Sequence, residues 1–170
     1  KQPEETRTPF LDGCFRVFKP RPRLTVSEWA GKYRLLPPDG AAEPGPWRNS
    51  RTPYLVEIMD ALSASSKSKE VVFCKGSQIG ATEAGLNWLM YLIDQEPGPI
   101  LAFQPTEKNA KDWSKQRIEP SLELCPRTKK KVAQAKSRAG GNTILQTKFA
   151  GGQLFLSGTN TAHALARPPL

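Results

Sequence analysis

With 170 residues, 38% of them hydrophobic and clustered rather than diluted, the chain has material for one domain and one buried core, which excludes disorder throughout. The longest apolar stretch, Leu86 to Ile93, is broken by Asn87 and falls far short of the roughly 20 residues that cross a bilayer, and Cys14, Cys74, Cys125 and the single His163 form neither a disulfide framework nor a standard zinc site. No secretory leader follows Lys1, so a reducing cytoplasm is expected, and the net charge of +9 suits either a polyanionic partner such as nucleic acid or a solvated basic face.

Residues 1–24 hold Pro3, Pro9, Pro20 and Pro22 among scattered Arg and Lys, and proline at that density predicts an extended arm. Thr25 with Glu28 is a capping box in which hydroxyl and carboxylate each satisfy an orphan amide. It predicts a short helix to about Arg34, with Trp29 and Tyr33 one turn apart. The four prolines and two glycines from Pro37 to Trp47 predict a surface loop, so residues 25–50 read as a helix and loop leading into the core. Thr52 and Pro53 read as the N-cap and first residue of a helix over 53–63.

Glu70 to Cys74 (EVVFC) has the composition of a strand buried on both faces of a parallel sheet. A glycine-bearing turn follows, then a helix over 82–94 with Leu86, Leu89, Met90 and Ile93 on one face. Ile100 to Phe103 reads as a second buried strand, making 70–103 a βαβ unit. Thr106 caps a predicted surface helix from Glu107 to Ile118, ended by Pro120 and anchored by Ala110 and Trp113. Arg127 to Arg138 carries only positive charge and predicts a mobile, solvated run, and Thr143 to Phe149 with Gln153 to Ser157 predict a hairpin around Gly151-Gly152.

The loop Lys75-Gly76-Ser77-Gln78-Ile79-Gly80-Ala81-Thr82 keeps the second glycine and the hydroxyl of the phosphate-loop template G-x-x-x-x-G-K-[ST]. It places Lys75 where the first glycine belongs and Ala81 where the lysine belongs. The physical parts survive: a turn leaving a strand, glycines that let amides converge, and the positive end of a following helix, with Glu83 in its first turn. Lys75 can reach phosphates from the strand side and Thr82 can offer its hydroxyl to Mg²⁺. The plain alternative is a solvated strand-end lysine and two turning glycines.

Around that loop stand Ser27-Glu28-Trp29-Ala30 with Lys32-Tyr33-Arg34, then Pro44-Gly45-Pro46-Trp47 leading to Arg51-Thr52-Pro53-Tyr54. Pro97-Gly98-Pro99-Ile100, Gln104-Pro105-Thr106 and Lys111-Asp112-Trp113-Ser114 with Arg117 follow. Together they resemble the large terminase subunit of tailed bacteriophages, of the lambdoid type, over roughly residues 25–168. The resemblance implies an α/β fold of the P-loop NTPase (RecA/helicase-like) class, a parallel sheet flanked by helices. Residues 51–170 would be the N-terminal part of the ATPase domain, truncated before the Walker B strand.

It also implies ATP and Mg²⁺ as cofactors, Lys75, Gly76, Ser77, Gln78, Ile79, Gly80, Ala81, Thr82 and Glu83 around the phosphates, Thr82 toward the metal, and Arg51 with Tyr54 beside the adenine. Tyr54 could equally pack Leu55 and Ile58 against the core, and Thr106 is fully explained as a helix cap. Implied partners are double-stranded DNA, the small terminase subunit, the portal protein and further copies in a homo-oligomeric ring, in the cytoplasm of an infected bacterium and away from any membrane. Lys129, Lys130, Lys131, Lys136 and Arg138 are candidate DNA contacts, with a solvated linker as the competing reading. Relatives carry an apolar strand ending in Asp-Glu and a nuclease domain, and neither is found here, so ATPase and endonuclease activity are expected of the full-length protein and almost no hydrolysis of these 170 residues. A non-enzymatic DNA-binding or assembly module with a degenerate phosphate loop, such as a prophage remnant, is the alternative class, and a helicase-type ATPase outside phages is a third.

Overall fold

The computed structural model describes residues 23–38, 43–138 and 143–160, leaving aside the side chains of 133–138. The expected arm lies, but for its last two residues, outside the described residues. Helix α1 (Val26–Tyr33) begins at the expected capping box, with the Thr25 hydroxyl accepting from the Glu28 amide and the Glu28 carboxylate accepting from the Thr25 amide. The Trp29 and Tyr33 rings lie 6.1 Å apart on its buried side. The ends of the proline-rich loop pair as a two-residue antiparallel ladder, β1 (Leu35–Leu36) with β2 (Gly45–Pro46).

A 3-10 turn (Asn49–Arg51) leads into α2 (Tyr54–Ala61), whose N-cap is Pro53 rather than Thr52. The carbonyl of Thr52, not its hydroxyl, receives the Leu55 amide, so capping there is done by backbone. Helix α3 (Ala81–Gln95) is the longest described element, and Leu86, Leu89, Met90 and Ile93 are all buried on it as the periodicity requires. With Trp29, Leu55 and Met59 they make the centre of one apolar cluster that continues through Ile118, Leu122, Phe149, Leu154 and Leu156.

Segment 70–74 departs from expectation. It pairs with no described strand, and Val72 is 83% exposed, while Phe73 packs on the core. Among the described residues its apolar run has no strand beside it, and the expected βαβ unit over 70–103 is not formed there. The sheet is instead β3 (Pro99–Gln104), β5 (Gly152–Gly158) and β4 (Gln146–Phe149), in that spatial order. β3 and β5 run parallel from Pro99 opposite Gln153 to Gln104 opposite Gly158, and β4 is antiparallel to β5. The hairpin occurs where Gly151-Gly152 predicts it, but Thr143 to Leu145 form a turn rather than strand, bridged only between Thr143 and Gln146.

The crossover between the parallel strands is helical. α4 (Glu107–Trp113) starts at Thr106, whose hydroxyl accepts from the Asn109 amide. The helix does not end before Pro120. A π-helical turn (Ser114–Ile118), in which the Glu119 amide donates back to the Ser114 carbonyl, widens the backbone ahead of Pro120, and α5 (Glu119–Leu124) carries the proline near its start. The basic run, expected to be mobile, is helix α6 (Pro126–Arg138). Its Thr128 is fully buried, donating to carbonyls of Leu122 and Cys125, and Val132 joins the core. Tertiary anchoring of two residues overrides the repulsion that a run of like charge suggests.

Candidate functional site

The glycine-bearing loop 75–80 ends in two left-handed residues, Gln78 at φ +57° and Gly80 at φ +81°. A side chain at Gly80 would meet Leu55 and Thr52, so glycine supplies both the conformation and the close approach. Gly80 is the N-cap of α3 and, being glycine, offers no side chain to the first-turn amides of this 15-residue helix. Helix dipole and open amides together favour a negative group at this point. Tyr54 fixes the loop from outside, its hydroxyl donating to the carbonyl of Ile79 at 3.0 Å.

Behind the first turn of α3 lies a charged centre of a kind proteins rarely bury. The Arg34 side chain is fully enclosed and donates from Nε to Asn87 Oδ1 at 3.1 Å, from Nη2 to Ser121 Oγ at 3.0 Å and Glu83 Oε2 at 3.1 Å, and from Nη1 to the carbonyl of Leu35. Burial pushes its guanidinium below the usual range, and Glu83 pulls it back. One arginine thus ties α1, α3 and α5 together and holds the Glu83 carboxylate in place. The other oxygen of Glu83 faces Arg117 Nη1, on the π-helical turn, at 3.7 Å.

Glu83 and Arg117 share the wall of a cavity of about 910 Å³ with Gln78, Gly80, Thr52, Arg51 and Arg48, in the size range of nucleotide-sized ligand sites. Arg51 there pairs with Glu43. The Thr52 hydroxyl oxygen, on the same wall, is buried with no hydrogen-bond partner. Lys75 and Thr82 are exposed and do not line this cavity. The Lys75 ammonium donates to the carbonyl of Gly76 at 3.3 Å. Tyr54 is 53% exposed and reaches the loop rather than the cavity.

Away from the loop, the candidate DNA contacts divide. Lys129 and Lys130 face solvent on α6, whereas the Lys131 ammonium turns inward to the carbonyls of Ile93 and Asp94 and closes the C-terminal end of α3. Lys136 and Arg138 belong to α6, and their side chains lie outside the described residues. Sequence reasoning quoted Arg34 and Arg117 only as part of the resemblance, and gave neither of them nor Asp94 a role. The signal available was Asn87, a polar residue interrupting the apolar face of α3, which is where the Arg34 guanidinium is received.

A family described as the phage terminase large subunit gpA, ATPase domain, matches residues 41–170, which take in the loop, α3, the three-stranded sheet and, but for Leu36, the cavity wall. The chain belongs to this family. Among curated relatives it is 28% identical to the large terminase subunit of Enterobacteria phage P21 and 27% identical to that of Escherichia phage lambda, in each case over 84% of its own length and 22% of the relative's. It thus spans about a fifth of the length of those terminases. No solved structure matches it. A terminase ATPase domain implies nucleotide use. No described helix is long and apolar enough to cross a membrane.

Proposed function

We propose that this chain is the nucleotide-binding part of a phage DNA-packaging motor, built on a P-loop NTPase fold of the RecA/helicase type. ATP with Mg²⁺ would be held by the loop 75–82, and its binding and hydrolysis would be coupled in the whole motor to movement of double-stranded DNA into the procapsid. The observation that carries the reading is the left-handed, side-chain-free cap at Gly80, inside the stretch matched by the terminase ATPase domain. Gly76 to Gly80 would turn backbone around the phosphates, Lys75 would supply charge from ahead of the turn, and the Thr82 hydroxyl would face the metal. Mg²⁺ would neutralise the triphosphate and polarise it for attack. Arg51 and Tyr54 would border the base, Tyr54 also setting the position of Ile79 in the loop.

None of the described strands ends in a carboxylate, since β3 ends in Gln104 and β5 in Gly158. We therefore expect the 170-residue chain to bind ATP and to hydrolyse almost none. Genome cutting, the small subunit, the portal and a ring of copies belong to the same reading, in the cytoplasm of an infected bacterium. Titration of a fluorescent ATP analogue against the chain and against K75A tests it. Binding that K75A weakens at least about tenfold is expected from loss of a charge-assisted phosphate contact. No binding by either, with double-stranded DNA still bound, would instead favour a non-enzymatic DNA-binding module.

A further inference from the structure

Glu83 is the third residue of α3, as Glu28 is of α1, and the two carboxylates behave differently. Glu28 turns back to the start of its own helix and accepts from the Thr25 amide at 2.9 Å. A glutamate at this position commonly closes a helix start in that way. Glu83 is instead drawn aside. One of its oxygens accepts from Nη2 of the fully enclosed Arg34 at 3.1 Å, and the other lies 3.7 Å from Arg117. Arg34 is itself pinned by Asn87 Oδ1, Ser121 Oγ and the carbonyl of Leu35, so the direct bond to Glu83 comes from a guanidinium that has no room to follow it elsewhere. Glu83 is also the acid of the first turn of α3, whose N-cap is a glycine, and it stands on the wall of the cavity beside Gly80 and Gln78.

We propose that Arg34 is a positioning residue for the nucleotide site: by holding Glu83 it keeps that carboxylate off the first-turn amides of α3 and leaves them to a phosphate. The inference rests on the nucleotide reading of the loop. A helix start that favours a negative ligand favours its own glutamate for the same reason. A carboxylate tethered there competes at the high effective concentration that a short link sets. Released from Arg34, Glu83 becomes a built-in competitor of the triphosphate. Arg34 caps the end of α1 and precedes the matched stretch 41–170, so a residue ahead of that stretch governs a site within it.

The test is binding of the fluorescent ATP analogue to the 170-residue chain and to R34Q, E83A, R34Q/E83A and K75A, with inorganic tripolyphosphate as competitor. Thermal midpoints are measured alongside, and binding is read at a temperature where every variant is folded by circular dichroism. Expected is a loss of about tenfold in R34Q for both the analogue and tripolyphosphate. R34Q/E83A, with no carboxylate to release, should return to within about twofold of the unaltered chain or bind more tightly. A structural role for Arg34 does not produce that restoration. If R34Q is unfolded at every usable temperature, R34K and R34K/E83A are compared in its place, with a loss of at least about threefold in R34K, again restored by E83A. If K75A weakens binding but the Arg34 variant stays within about twofold of the unaltered chain, or its loss persists without Glu83, the Arg34 assignment is wrong and the loop reading stands. If the unaltered chain binds no triphosphate, both fall.

Discussion

At the scale of single residues, one buried carboxylate carries much of the architecture around the end of α3. Asp94 Oδ2, at the end of α3, accepts from Trp29 Nε1 at 2.9 Å, Gln95 Nε2 at 2.8 Å and Arg127 Nε at 2.6 Å. Burial opposes its ionisation, but those hydrogen bonds and the Arg127 charge outweigh burial and hold the carboxyl below the ordinary range. Arg127 is in turn driven further into its charged form by Asp94, and its guanidinium lies 4.5 Å from the centre of the Tyr33 ring. A carboxyl whose folded pKa is depressed stabilises the fold above its unfolded value, near pH 4, and that contribution disappears as pH falls through the folded value. D94N should therefore lower stability by about 2 kcal/mol at pH 7. The gap between it and the unaltered chain in urea unfolding should close below about pH 4.

The element scale is governed by close backbone approach. In the β4–β5 hairpin a Cβ added at Gly152 would lie 2.2 Å from the Gly98 carbonyl oxygen, and Gly151 has φ +94° with Pro97 against it. The hairpin is thereby pressed onto the chain entering β3, which aligns β5 for parallel pairing. G152A should destabilise by about 3 kcal/mol, the upper range for forced overpacking, and lower the urea midpoint with little change in slope. Glycine-glycine flanked by β-formers announces a hairpin, but not that a third segment lies within touching distance. The same distinction applies to Pro120, which reads as a helix stop only if the backbone before it is an ordinary α-helix.

For the whole molecule, the arrangement of charge matters more than its sum. Of the first cations of α6, Arg127 and Lys131 are turned toward Asp94 and the end of α3, leaving Lys129 and Lys130 outward. If α6 tracks a DNA backbone in the intact motor, these two are its first contacts. K129A with K130A should then weaken double-stranded DNA binding by this chain and reduce the slope of log affinity against log salt by about 2. An unchanged slope would leave α6 as a helix that packs on one side and is merely solvated on the other. The basic excess was legible from composition, but its division into structural and outward cations was not, because that depends on which helix ends α6 crosses.

The sequence alone determined the local elements whose causes lie within a few residues: the capping box at Thr25, the apolar face of α3, the Thr106 cap, the hairpin and the glycine that ends the loop. It also carried the family resemblance that the match over 41–170 bears out. Tertiary structure decided everything that needed a distant partner. It left 70–74 without a strand beside it among the described residues, formed the basic run into α6, and brought Arg34, Glu83 and Arg117 from three separate helical segments to one place. Hydrogen-bonded caps and amphipathic periodicity act over one or two turns, whereas a strand's pairing and a charge's burial are set by residues tens of positions away, whose arrival only the folded chain defines.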